Sequence, residues 1–138
     1  MKKAFATAIV LMLVLALSSC IGPGLSDWRY PLPCDYEVWH VNSQTIVFGK
    51  KSASASLSTV IDPYVSAFCY SVDHAVVERL PNGRDTEPRE YYIVSLREDA
   101  VSGPYDRAEL DAALEDRSIG GLCDWIATSP APSGAVFP

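Results

Sequence analysis

Runs of β-branched and aromatic residues, each closed by a turn signal, commit most of this chain to antiparallel strands. They are "YEVWHVN" (36–42), "TIVFGK" (45–50), "VSAFCYSV" (65–72), "AVVERL" (75–80) and "YYIVSLRE" (91–98). Such side chains suit a pleated, half-buried surface. In the first run Trp39 and Val41 point to one face, Val38 and His40 to the other. Asn42-Ser43-Gln44 turns the first run into the second, and Asp73-His74 joins the third to the fourth, so two hairpins are expected. The polar stretch "PNGRDTEPRE" (81–90) carries the turn pair Asn82-Gly83 and leads to a fifth strand with Tyr92, Val94 and Leu96 on one face. The Ser-rich "KKSASASLSTV" (50–60) reads as a surface loop or a weakly ordered lead-in.

The hydrophobic period changes after residue 98. Proline fixes its own backbone and biases the residue before it towards extended geometry. Gly103-Pro104 is therefore expected to end the fifth strand and aim a helix back at the sheet. Asp106 and Glu109 have capping-box spacing. Leu110, Ala113 and Leu114 make an apolar stripe over about 107–117, and Gly120-Gly121 closes it. "LCDWIATS" (122–129) reads as a short packed turn or strand. The expected fold is α+β: an antiparallel sheet of about five strands, two hairpins plus one strand, with one C-terminal helix.

The front of the chain is of another kind. Met1-Lys2-Lys3 is a basic start, and an apolar run from Ala4 to Leu17 leads to Ser18, Ser19 and Cys20. This is the pattern of a secretory signal, too short for a helix that needs about 20 apolar residues to cross a bilayer. Leu17-Ser18-Ser19-Cys20 resembles the lipobox of bacterial lipoproteins. The resemblance implies a diacylglyceryl group on the Cys20 thiol, cleavage before Cys20, and further acylation by fatty acids such as palmitate. It places the protein in the cell envelope, held to a membrane through the lipid on Cys20. Ile21 stands where an Asp would favour the inner membrane, which resembles the outer-membrane class in a cell with two membranes.

The expected organisation is a signal peptide at 1–19, a Pro/Gly-rich tether at 20–33, one domain at 34–128 and a disordered, proline-rich tail at 129–138. Removing residues 1–19 from 138 leaves 119, enough for a single core. Without Lys2 and Lys3, 17 acidic residues face 9 basic ones, a formal charge of -8. That balance speaks against a nucleic-acid partner, which needs a basic stripe. With Cys20 lipidated, Cys34, Cys69 and Cys123 remain. An odd number in an oxidising compartment allows one disulfide among the three, with all three pairings open.

Catalytic and metal chemistry find little support. His40 lies on a strand and His74 in a turn, with no GxSxG elbow and no Cys-His signature. The histidine spacing suits no metal, and Asp106, Glu109, Asp111, Glu115 and Asp116 read as a solvated helix face. No catalytic residue, metal ligand or cofactor is expected. The aromatic group Trp28, Tyr30, Tyr36 and Trp39 is the candidate binding surface, set against a role as core of a small domain; on the core reading, Trp28→Ala and Tyr30→Ala lower the melting temperature.

From about Trp28 to Asp116 the order of segments resembles a family of short bacterial lipoproteins of unknown function. The matching pieces are "LPCDYEVWHVNSQTIVFGK", "CYSVDHAVVERL" and "YYIVSLREDAVSGPYDRAEL". The resemblance implies no activity and assigns no residue a role. The reading that results is a non-enzymatic envelope module with an envelope protein as partner; the alternative is a domain that binds a sugar or peptide in a cleft.

Overall fold

The computed structural model describes residues 27–42, 45–54, 56–85, 88–121 and 124–137. Residues 1–19, expected to be a signal peptide, lie outside these residues, as do Cys20, Cys123 and the first half (20–26) of the expected tether. Strands form where the apolar runs predict them, at three places not expected to be strands (28–31, 57–61 and 100–105), and within 122–129, which reads as a turn or strand.

The first sheet comprises β1 (Trp28–Pro31), β2 (Tyr36–Asn42), β3 (Thr45–Lys51) and β4 (Leu57–Ile61), in the order β1-β2-β3-β4. The second comprises β5 (Val65–Tyr70), β6 (His74–Arg79), β7 (Glu90–Ser95), β8 (Ala100–Tyr105) and β9 (Ile126–Ala127), in the order β8-β7-β6-β5-β9. Every pairing is antiparallel. Among the described residues one α-helix, α1 (Arg107–Asp116), lies between β8 and β9 in the chain. The fold is α+β, with the expected strands divided between two sheets.

The division follows from alternation. Successive side chains of a strand face opposite ways, and the second sheet is apolar on both faces. Phe68, Ala75, Val77 and Val94 join Trp28, Tyr36, Val38, Phe48 and Ile61 in one core between the sheets. Cys69, Val76, Tyr91 and Ile93 form a second cluster that takes in Leu110, the buried residue of α1. The layers are therefore sheet, sheet and helix. Asp106 and Glu109 form the expected capping box, with Asp106 Oδ1 accepting from the Glu109 amide at 2.8 Å and Glu109 Oε2 from the Asp106 amide at 2.9 Å.

Several expectations are corrected. The 20–33 tether contributes its last residues to β1, because Trp28 finds a core position and its backbone pairs with His40 in β2. The 50–60 loop holds the start of β4, anchored by the buried Ile61 while Ser58 and Thr59 are exposed. Gly103-Pro104 does not end a strand; it lies within β8, a sheet edge where proline's missing N–H costs no ladder bond. The 129–138 tail is tied down over its described part. The Arg29 amide donates to the Val136 carbonyl at 2.9 Å and the Val136 amide to Arg29 at 2.7 Å.

Candidate functional site: a cleft at the open end of the sheets

The core between the sheets opens at one end into a cleft of about 750 Å³. Its walls come from β1 (Trp28), β2 (His40), β3 (Ile46), the β4–β5 link (Tyr64), the loop after β6 (Asn82, Arg84) and the segment after β9 (Thr128, Ser129, Phe137). Each wall has a local cause. Trp28 and His40 are register partners, and their rings stack 5.6 Å apart at an interplanar angle of 10°. Tyr64 has a left-handed backbone (φ 80) and is held by hydrogen bonds from its amide to Ile46 and from the Leu80 amide to its carbonyl, both 3.0 Å. The Tyr64 ring lies over Gly83, where an added Cβ would come within 2.9 Å of it. Thr128 is buried, and its Oγ1 donates to the carbonyls of Val65 at 3.0 Å and Ser66 at 2.9 Å, fixing the chain as it leaves β9.

A second lobe of about 440 Å³ shares Ile46, Tyr64, Gly83, Thr128 and Ser129 with the first and continues towards an ionic floor. Glu78 is 8 % exposed there. Its Oε1 accepts from Arg89 Nη1 and Ser66 Oγ, both at 2.8 Å, and Arg89 also pairs with Asp85. A buried carboxylate with these donors is satisfied, as burial of a charge demands. At the other end the imidazole Nδ1 of His40 is shielded from solvent and has no hydrogen-bond partner; the nearest charged oxygen, Asp27 Oδ1, is 3.8 Å away. A buried polar atom in that state favours a ligand that supplies the missing bond.

The sequence-selected aromatics do not share one surface. Trp28 and Tyr36 are core residues at 5 % and 2 % exposure. Tyr30 packs edge-on against Phe68, with ring centres 5.1 Å apart, and its hydroxyl is 3.3 Å from that of Tyr70. Trp39 lies on the outer face of the first sheet, half-buried, its indole N–H on Glu37. Only Trp28 reaches the cleft. His74 begins β6 and lines no part of it.

The cysteines separate. Cys34 is an exposed free thiol in the short 3-10 turn Pro33–Asp35, and Cys69 is disulfide-bonded. Pairings that use Cys34 are therefore removed. The partner of Cys69 is one of the two cysteines outside the described residues, Cys20 or Cys123.

Among the described residues, no serine, threonine or cysteine side chain hydrogen-bonds to either imidazole, and no three His, Cys, Asp or Glu residues are grouped to hold a metal ion. No described helix is long and apolar enough to cross a membrane. What the cleft offers is hydrogen bonding from His40, Asn82, Arg84 and Ser129 beside the apolar surfaces of Ile46, Tyr64 and Phe137. Sequence reasoning passed over Tyr64, Arg84 and Ser129, and it read Asn82-Gly83 only as a turn. No protein-family model, curated protein or solved structure matches the chain.

Proposed function

We propose that this protein is a lipid-anchored lipoprotein of the bacterial envelope whose domain is a non-enzymatic binding module, with the two-lobed cleft as its site. The anchor reading is supported by Leu17-Ser18-Ser19-Cys20 behind a basic start and an apolar run. The binding reading is carried by one observation: an open cleft of about 750 Å³ lined by His40, a residue whose Nδ1 is shielded from solvent and has no hydrogen-bond partner. Polar groups converging in a concave, partly apolar site are the usual mark of recognition.

The ligand that fits is an extended peptide segment of another envelope protein. The lobes adjoin through shared walls at Ile46, Tyr64 and Thr128, and their charged side chains, Glu78 and Asp85 against Arg84 and Arg89, cancel in number. A sugar is the weaker fit, because the indole face of Trp28 that would stack on it is already covered by His40.

Two experiments separate the parts. Cells fed labelled palmitate should label the wild type and not Cys20→Ala; equal label in both removes the anchor. A photocrosslinking residue at Asn82 in native membranes should give a protein adduct absent when the same group replaces Asp111 on α1. Carbohydrate adducts at Asn82 would transfer the site to glycans, and identical adducts from both positions would end the cleft assignment.

A further inference from the structure

A second, shallower groove of about 340 Å³ lies beside the cleft and is lined by Asp27, Trp28, Arg29, Trp39, His40, Val41 and Val136. Directly paired residues of neighbouring strands share a face. Arg29 is the partner of Trp39 in β2 and of Val136 beyond β1, so Val136, Arg29 and Trp39 form a row on the outer face of the first sheet. Val41, at the register shift between His40 and Asn42, lines the same groove as these residues. Val41 and Val136 are 46 % and 45 % exposed, and Phe137 beside them is 55 % exposed. These residues are among the few large apolar side chains that the described surface leaves open, and they gather at one corner.

That corner is where the chain arrives from Cys20. Seven residue steps separate Cys20 from Asp27, which sets an upper limit of about 25 Å on their separation. We infer that the outer face at Trp39, Val41 and Val136, with Phe137 at its rim, rests on the phospholipid surface that holds the lipid of Cys20. This deepens the proposed anchoring and rests on it.

Chemistry and charge agree with that occupant. An indole with a polar N–H and an apolar ring suits the headgroup level of a bilayer. Asp27 and Arg29 carry opposite charges within the groove. The acidic side chains Asp106, Glu109, Asp111, Glu115 and Asp116 belong to α1 and its cap, in the layer beyond the second sheet. Repulsion from anionic lipid is screened over about 8 Å at physiological salt, so that layer leaves the apolar corner free to approach.

The test uses the full lipidated protein in vesicles of phosphatidylethanolamine and phosphatidylglycerol, a fraction of whose headgroups carry a nitroxide quencher. Flotation with the vesicles reports the anchor separately. In the floating protein, with Trp28→Phe in every variant so that a single tryptophan emits, emission from Trp39 (in Trp125→Phe) should be quenched severalfold more than emission from Trp125 (in Trp39→Phe). Val41→Glu with Val136→Glu should still float and lose most of that difference. Protein that fails to float removes the anchor and this inference together. Protein that floats with equal quenching at both tryptophans overturns this inference and leaves the anchor standing. A detergent-stable dimer broken by Val41→Glu would assign the face to a second copy of the chain and overturn it as well.

Discussion

Trp28 shows how one residue serves two purposes. Its indole fills core space between the sheets, and its remaining edge forms the wall of the cleft. Truncation would open a cavity and remove the stacking partner of His40. Trp28→Ala should therefore lower unfolding free energy by about 3–5 kcal/mol, measured by denaturant titration. Tyr30→Ala should cost less, because Tyr30 is only part-buried. A change under about 1 kcal/mol for Trp28→Ala would contradict the packing described.

Tyr36 joins the two sheets through a charged contact. Its hydroxyl donates to Asp99 Oδ1 at 3.0 Å, and Lys50 Nζ reaches the same oxygen at 2.5 Å. Burial, and then the bond to Asp99, push the Tyr36 phenol up to about 12. A folded value above the ordinary 10.0 means that this contribution is complete below about pH 10 and fades as pH rises towards 12. Tyr30 is likewise pushed up to about 12, first by its hydrogen bond with Tyr70 and then by burial. Melting temperature should thus fall between about pH 10 and 12, and Tyr36→Phe should flatten part of that fall. The Asp99 carboxyl has the opposite sign. Lys50, and then Tyr36, hold it below its usual range, so its contribution is present above the ordinary carboxylate value and is lost as pH falls through the lower one.

At the scale of elements, strands with a bulky alternating pattern and the capped helix were legible. Val94 and Leu96 share the inter-sheet core as their spacing predicts, and Asp106 caps α1. β1, β4, β8 and β9 were not assigned as strands with any certainty, for a common reason. All four lie at sheet edges, and the composition of three of them (Pro31, Ser58, Gly103-Pro104) is what edges tolerate and what loops also use. The partner strand, distant or not, decides such cases. The cleft was less legible still, since residues from Trp28 to Phe137 meet there without a local motif. Gly103 offers an element-scale test. It has φ +124, and an added Cβ would lie 2.6 Å from the Tyr91 carbonyl oxygen. Gly103→Ala should destabilise by more than about 1 kcal/mol, whereas Asp106→Ala should cost about 1 kcal/mol through the lost cap. Thermal melts of both variants would compare an edge-strand approach with a helix end.

For the molecule as a whole, two layers rest on the second sheet, and a disulfide at Cys69 ties the helix-side face. If Cys20 carries lipid, Cys123 is the remaining partner, and the bridge closes a loop of more than fifty residues around α1. Loop closure of that length contributes about 4 kcal/mol. Intact mass should lie two daltons below the fully reduced value in the wild type and in Cys34→Ser, and at the reduced value in Cys123→Ser, which should also melt earlier. A retained bridge in Cys123→Ser would force Cys69 onto Cys20 and withdraw that thiol from acylation.

The reciprocal bonds between Arg29 and Val136 cover part of the outer side of β1. Without them that strand would present unsatisfied amides and carbonyls to any passing extended chain. A protein shortened after Ala131 should fold around the same core yet self-associate edge to edge, scattering light and binding amyloid dyes at concentrations where the intact chain stays clear. The segment that pairs with Arg29 thus guards β1 against polymerisation, a duty that would grow if the proposed lipid anchor held many copies in one plane.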